Sequence, residues 1–182
     1  MDVIVFMASV ATGFACWVFA AVEAVGIWRF WPWAFRLGLK VIERRVPRPT
    51  ISSPVVGRLD SSDLQAAVID QSHILFRAPM PIFGFRIHTP LPIHGAAILE
   101  ADRIYLTGRI PLGPVGFLLA WISGWTVGGV MAGSQVPIGG FGMVALGWLF
   151  VGGMIFFSLS VERRRFERAL EALVRDISCT PA

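Results

Sequence analysis

The chain has 182 residues, of which 55% are hydrophobic and 15% are charged, whereas about 25% of the residues in a typical soluble domain are charged. This composition excludes an ordinary soluble globular domain and indicates a membrane protein. The formal net charge of +4 needs no nucleic-acid partner, and we expect none, because basic residues beside membrane spans are the usual orientation signal.

Three apolar runs, 3–27, 115–133 and 138–160, are each at or near the roughly 20 residues that a helix needs to cross a bilayer. We expect an integral membrane protein with three transmembrane helices and a small α+β module, mostly antiparallel sheet, between helix 1 and helix 2. The predicted divisions are 1–28 (transmembrane helix 1), 29–46 (basic interfacial helix), 47–114 (cytoplasmic strand-rich module), 115–160 (transmembrane helical hairpin) and 161–182 (cytoplasmic helical tail).

All sixteen Lys and Arg residues lie outside the three runs. One membrane topology of the three helices places them all on the same side of the membrane. Because basic loops stay in the cytoplasm, we expect the N-terminus outside and the central module and C-terminus inside. The acidic Asp2 and the length of the first run argue against a cleaved signal peptide. Residues 134–137 carry no charge, as suits a short translocated loop.

Small residues recur at every fourth position of the first span, and glycine pairs with the same spacing occur in the second. Such stripes let helices approach closely, either within one chain or between copies of it. They are Ala8, Thr12, Cys16, Ala20 and Ala24 in the first span, and Gly124 with Gly128 and Gly129 with Gly133 in the second.

Glu23 is the only carboxylate within the spans, which hold no Lys, Arg, His or Asp. Polar groups would line a transport pathway, so a channel or transporter built from this chain alone is not expected. We expect Glu23 to reach the headgroups or to pair with Arg29.

After the first span, three tryptophans precede a basic segment. On a helix that begins near Pro32, the charged residues fall on one face: Arg36, Lys40, Glu43 and Arg44. One interpretation is an interfacial helix that meets anionic headgroups. The other is an extension of the first span that ends at Pro47.

The central module combines one helix signal with several strand signals. Ser62 and Gln65 have the spacing of a capping box, which predicts a short helix over 63–70. Alternating apolar residues predict strands over 73–77 and 82–88, and an antiparallel hairpin of 96–99 with 103–110. In the last strand Ile104, Leu106 and Ile110 share one side.

The order of these segments resembles a layout found among uncharacterised bacterial inner-membrane proteins, in which a short strand-rich cytoplasmic module precedes a C-terminal helical hairpin and a charged tail. The resemblance covers residues 73–176 and implies a bacterial envelope protein, but it carries over no catalytic residue and no activity. The residues that carry it are Phe85-Arg86-Ile87-His88, Pro92-Ile93-His94-Gly95, Gly108-Arg109-Ile110-Pro111-Leu112 and Trp121.

Candidate chemistry is limited to the module. His88 and His94 could bind a metal or move protons together with Asp102 or Glu100. No third ligand has a fixed spacing, so we expect solvent-facing or hydrogen-bonded histidines and assign no catalytic, cofactor-binding or metal-binding residue. No serine stands in a nucleophile elbow, and no glycine-rich turn has the context of a phosphate loop.

Three further signals have structural rather than chemical interpretations. Asp70 and His73 are expected to satisfy a helix end, and Cys16 and Cys179 have the spacing of neither a disulfide nor a metal site. The tail carries an apolar stripe for which the sheet is the nearest cover. Its members are Phe166, Leu170, Leu173, Val174 and Ile177.

These observations favour a multi-pass protein of the bacterial inner membrane that acts as a structural, adaptor or regulatory component at the cytoplasmic face. The alternative is a membrane-embedded enzyme that acts on a lipid or headgroup through His88, His94 and Asp102. The expected partners are anionic headgroups of the bilayer, and a protein partner or a second copy held through the small-residue stripes.

Overall fold

The computed structural model describes residues 2–47, 57–79, 91–133 and 137–179. The helices in these ranges are α1 (Asp2–Trp28), α2 (Pro32–Arg36), α3 (Leu112–Gly133) and α4 (Pro137–Cys179). The strands are β1 (Leu39–Pro47), β2 (Gly57–Asp60), β3 (Gln65–Val68), β4 (His73–Arg77), β5 (His94–Leu99) and β6 (Arg103–Ile110).

Three helices of the described chain, α1, α3 and α4, are long and apolar enough to cross a membrane, over Val10–Trp28, Leu112–Met131 and Gly140–Arg175. The predicted spans are therefore confirmed as helices of suitable length and composition. The third span and the tail form one unbroken helix of 43 residues, as the sequence predicts.

The helices pack where small residues let their backbones approach. A Cβ atom on Gly113 would overlap the backbone of Ala20, and one on Gly116 would lie 3.3 Å from the Cys16 sulfur. Two members of the α1 stripe therefore pack against α3 within the chain.

Glu23 lies one turn further along α1 and is fully buried. Its carboxyl group accepts hydrogen bonds from two backbone N–H groups at the start of α3. The prediction that Glu23 contacts headgroups or Arg29 is therefore wrong.

The glycine pairs of α3 differ in their surroundings. Gly129 and Gly133 lie against Gly140 of α4. A Cβ atom on Gly140 would overlap the backbone of both, and one on Gly129 would overlap the Val144 side chain. By contrast, an added Cβ at Gly124 or Gly128 would meet no atom within 4 Å. Packing within the chain is thus confirmed for the first pair, and association of copies through the second pair stays a prediction.

The six described strands form one antiparallel sheet in the order β1-β6-β5-β4-β3-β2. From β2 to β6 each strand pairs with the next one in sequence, and β1 joins the edge beside β6. The predicted strand 73–77, the hairpin and the buried alternation of Ile104, Leu106 and Ile110 are confirmed. We call the end of the sheet next to α1 and α3 the near end, and the opposite end the far end.

The C-terminal part of α4 covers one face of the sheet, here called the α4 face. The Phe166 ring lies 5.2 Å from the Phe76 ring and above Gly95 and Gly108, which are paired on β5 and β6. A Cβ atom on Gly108 would come within 2.9 Å of the Phe166 ring. Ala169, Leu170 and Leu173 are buried beside it, which confirms the predicted cover of the tail stripe.

The predicted helix over 29–46 is wrong: only Pro32–Arg36 is helical, and Leu39–Pro47 is strand β1. Gly38, between them, has φ 114°, and a side chain there would overlap the Ile110 carbonyl. The charges of this segment also suit a strand, because Lys40 and Arg45 project from one face and Arg44 from the other. Pairing with β6 therefore prevails over local helix periodicity.

The predicted helix over 63–70 is also wrong, since Gln65–Val68 forms β3. The hydroxyl of Ser61, rather than that of Ser62, accepts a hydrogen bond from Leu64 N–H, and Ser61 N–H donates to Leu64 O. The capping signal therefore marks a hairpin turn between β2 and β3. The predicted strand 82–88, with His88, lies outside the described residues.

Candidate functional site

The chain reverses direction at the end of α1 in a Schellman turn. Phe30 N–H donates to Ile27 O at 3.3 Å and Trp31 N–H donates to Gly26 O at 2.8 Å, which are the two hydrogen bonds of that motif. Phe30 has φ 57°, a left-handed conformation that costs a non-glycine residue about 1 kcal/mol. Its buried ring stacks on Phe35, and this contact offsets the cost.

After the turn, α2 lies between the last turn of α1 and the sheet. A Cβ atom on Gly26 would lie 2.9 Å from the Ala34 Cβ and 3.1 Å from the Trp33 ring. Ala34 and Phe35 are buried, whereas Trp33 is partly exposed. Helix α2 thus covers the near end of the second sheet face, here called the α2 face.

Arg109 of β6 fastens α2 to the sheet. Its guanidinium donates to the Arg36 carbonyl at 2.7 Å and to the Gly38 carbonyl at 3.4 Å. These carbonyls close α2 and the turn into β1, and charged donors are stronger than neutral ones. The position of α2 therefore depends on a side chain more than 70 residues away in sequence.

Beneath α2, the α2 face carries a buried arginine, Arg77, which is 2% exposed. Its guanidinium donates to the Trp28 carbonyl at 3.4 Å. The guanidinium groups of Arg77 and Arg58 lie 5.1 Å and 5.2 Å from the Phe30 ring centre. Burial, with the Arg58 charge acting in the same direction, lowers the pKa of Arg77 to about 10, so it stays charged at neutral pH.

His94 lies directly opposite Arg77 on the neighbouring strand. It is 1% exposed and meets the Phe35 ring edge-on at 5.0 Å. Burial lowers the pKa of His94 to about 4, the backbone of Leu37 opposes this shift, and the Arg109 charge adds to it. Neither ring nitrogen reaches hydrogen-bond geometry with a partner in the described chain, so His94 is a neutral core residue at pH 7.

The structure does not bring the predicted chemical residues together. His94 begins β5, whereas Asp102 follows the far end of that strand, about 17 Å or more away at the rise of an extended chain. Asp102 pairs with Arg103 at 3.0 Å. Within the described ranges, no three His, Cys, Asp or Glu side chains are close enough to hold a metal ion.

The predicted Asp70–His73 pair is present, but in a turn between β3 and β4 rather than at a helix end. The Asp70 carboxylate accepts hydrogen bonds from the Ser72 hydroxyl and from the backbone N–H groups of Ser72 and His73, and contacts the His73 ring at 3.0 Å. The Ser72 bonds, followed by those of His73, hold the pKa of Asp70 well below its usual value. This arrangement shapes the turn.

Comparison with protein-family models, curated proteins and solved structures finds no match to this chain.

The far half of the α2 face is not covered by α2. Ile98 is 37% exposed, and Tyr105, opposite Ile98 on β6, is half-buried. The Tyr105 hydroxyl donates to Glu43, and Lys40 and Arg45 each lie 5.6 Å from the Tyr105 ring centre. Tyrosine and arginine are enriched in protein–protein interfaces, and the rims of such interfaces are polar, so this surface contains residue types that protein-binding surfaces use.

Sequence reasoning missed Arg77 and Arg109 as organising residues. The alternation in β6 places Arg109 on the polar side of its strand, but only the fold shows which carbonyls it reaches. Arg77 ends an apolar strand, where an exposed position is the ordinary expectation. Its burial results from the Schellman turn, which has no glycine to signal it.

Proposed function

We propose that this chain is a three-span protein of the bacterial inner membrane, with its sheet module and C-terminus in the cytoplasm, and that it acts as an adaptor or regulatory component. The proposed docking surface is the far half of the α2 face around Tyr105 and Ile98. The observation that carries the proposal is the unequal cover of the sheet. α4 fills one face, whereas α2 closes only the near end of the other.

The shape of the module supports this assignment. β6 ends at Ile110 and α3 begins at Leu112, so the sheet is joined to a span with one intervening residue. A module held this rigidly presents a fixed surface, which reduces the entropy that a partner loses on binding.

The alternative hypothesis, a lipid-acting enzyme built on His88, His94 and Asp102, receives less support. The structure separates His94 from Asp102 and buries His94 under α2. A general base must come within about 3 Å of the proton that it abstracts, and a buried His94 has no such access.

Site-specific photo-crosslinking in native membranes tests the adaptor proposal. A photoreactive amino acid in place of Tyr105 should give a discrete crosslinked species. The matched control is Leu59, which is 38% exposed at the β2 edge and projects from the α4 face, and should give none. If neither position gives a crosslinked species when the protein is expressed at its normal level, the proposal is contradicted.

The substitution Ile98→Asp should abolish the crosslink at position 105, because a buried unpaired charge opposes docking. Leu59→Asp introduces the same change at similar exposure and should leave the crosslink intact. Equal loss with both variants indicates damage to the module rather than loss of a docking surface.

A further inference from the structure

Six large apolar side chains follow one another closely in sequence from the last residue of α1, through α2, to the start of β1. All six are at least 36% exposed, an unusual density for 14 residues of which only the first lies in a candidate span. We call them the collar: Trp28, Trp31, Trp33, Leu37, Leu39 and Val41.

Trp31 and Trp33 of the collar lie beside the last turn of α1. A Cβ atom on Gly26 would lie 3.1 Å from the Trp33 ring and 3.4 Å from the Trp31 ring. The two rings are 6.2 Å apart. Since Gly26 precedes the end of the candidate span at Trp28, both rings lie beside the last turn of that span, the depth at which tryptophan meets headgroups.

Charge in the same segment is of one sign. Arg29 and Arg36 are exposed, and no Asp or Glu occurs between Glu23 and Glu43. No carboxylate in the described chain forms an ion pair with either arginine, whereas Lys40 is already paired with Glu43 at 2.6 Å. Basic residues at this depth are attracted to anionic lipid, with a gain of about fivefold in association for each one.

We propose that the collar is a docking surface for anionic phospholipid. The tryptophans enter the headgroup region, and Arg29 and Arg36 bind the lipid phosphates. This inference rests on the membrane insertion proposed above and adds the chemical class of the lipid. Because the Arg36 carbonyl is held by Arg109, a collar fixed on the lipid also fixes the near end of the sheet relative to the bilayer.

Quenching by brominated lipids tests the inference on the full chain. Trp17, Trp121, Trp125 and Trp148 are replaced by Phe, which leaves only the collar tryptophans as emitters. The chain is reconstituted in vesicles that contain brominated phosphatidylglycerol or brominated phosphatidylcholine at equal mole fraction. We expect the anionic lipid to associate with the collar several-fold more strongly.

The double variant Arg29→Gln/Arg36→Gln should bring the two association constants to within a factor of two of each other. Its matched control, Arg45→Gln/Arg103→Gln, removes the same charge from the far end of the sheet and should keep the preference. Equal quenching by both lipids in the parent chain, or an unchanged preference in the first variant, overturns the inference.

The outcomes also separate this inference from the proposal on which it rests. No quenching by either lipid places the collar outside a bilayer and contradicts the proposed insertion, whereas strong but equal quenching contradicts the lipid preference alone. If the four Phe substitutions prevent folding, native mass spectrometry of the unsubstituted chain with the same arginine variants counts bound phosphatidylglycerol and phosphatidylcholine directly.

Discussion

Glu23 connects α1 to α3 through a hydrogen-bonded helix cap. Its two carboxyl oxygens accept from Leu112 N–H at 3.0 Å and from Gly113 N–H at 2.7 Å. The first N–H groups of a helix have no partner within the helix, and the helix dipole favours a carboxylate at this position. A single acidic side chain in an apolar span is thereby explained as a structural element.

Replacing Glu23 by Ala should lower the free energy of unfolding by about 3 kcal/mol, because two backbone donors lose a charged acceptor in an apolar setting. Glu23→Gln keeps one acceptor oxygen and should lose about half as much. The thermal unfolding midpoint of the purified protein in detergent measures both. Val22→Ala, at an exposed neighbouring position, is the control, and equal midpoints for all three variants contradict the capping role.

His94 makes the stability of the module depend on pH. Its pKa is about 4 in the folded chain and 6.5 when exposed, so the unfolded chain binds a proton that the folded chain excludes. Its stabilising contribution is complete above pH 6.5 and is lost as the pH falls toward 4, by about 1.4 kcal/mol for each pH unit. The charge of Arg109 also lowers the pKa of His94 and so acts in the same direction.

The unfolding midpoint of the full chain should therefore fall between pH 7 and pH 5, and a His94→Gln variant should show a flatter profile. The pKa of Asp70 is also lowered, and its ionised carboxylate stabilises the folded chain above the usual carboxyl pKa. This contribution is lost only below that pKa, outside the range from pH 7 to pH 5. An Asp70→Asn variant should thus retain the slope between pH 7 and pH 5. Parallel profiles for wild type and His94→Gln contradict the assignment.

At the scale of elements, α4 joins the third candidate span to the sheet. Ser158 and Glu162 accept a hydrogen bond each from the backbone N–H groups of Leu91 and Ile93, at 3.1 Å and 3.4 Å. One turn later, Phe166 enters the space above Gly95 and Gly108. Helix α4 therefore contacts both the segment that leads into β5 and the centre of the sheet.

Phe166→Ala should destabilise the module by about 3–5 kcal/mol, the range for removing a buried phenylalanine. Limited proteolysis in detergent should show faster cleavage within the sheet, while the apolar helices stay protected. Glu171→Ala changes an exposed residue of the same helix and should leave the cleavage rate unchanged. Equal rates for the two variants contradict the role of Phe166 as the anchor of α4.

The elements that the sequence predicts correctly are those whose own periodicity determines them. β6 alternates over eight residues, and α1, α3 and α4 are continuous apolar helices. β1 and β3 were predicted as helices because local signals, a charge spacing and a capping pattern, are compatible with helix when pairing partners are unknown. The partner of β1 is β6, which is about 60 residues away in sequence. The partners of β3 are β2 and β4, which are about as short as β3 itself.

The candidate site was harder to predict for the same physical reason. The collar tryptophans are visible in the sequence, and their position directly after the first apolar run is what suggests an interfacial role. The burial of Arg77 and His94 depends on a left-handed Phe30 and on hydrogen bonds from Arg109 to Arg36 and Gly38. These contacts are long-range, and no spacing in the sequence encodes them.

For the whole molecule, the near end of the sheet is attached to the helices by three connections. α1 leads through α2 into β1, β6 leads through Pro111 into α3, and α4 continues from the third candidate span onto the α4 face. The module therefore must lie at the same side of a membrane as the end of α1, the start of α3 and the C-terminal part of α4. The distribution of charge decides which side that is.

All sixteen Lys and Arg residues lie outside the three apolar runs, and the predicted arrangement of spans puts them all on that side. We therefore predict that it is cytoplasmic. A reporter that is active only outside the cytoplasm should give signal when fused after Ser134, in the uncharged connection between α3 and α4. The same reporter fused after Arg58 or after Arg175 should be inactive, and a reporter that requires the cytoplasm should show the complementary pattern. Positive charges beside a span favour retention of that segment in the cytoplasm. The triple substitution of Arg163, Arg164 and Arg165 by Ala should therefore raise the fraction of chains with the inverted orientation. Activity after Arg175 together with inactivity after Ser134 in the wild-type chain would reverse the orientation and would place both the collar and the proposed docking surface outside the cell.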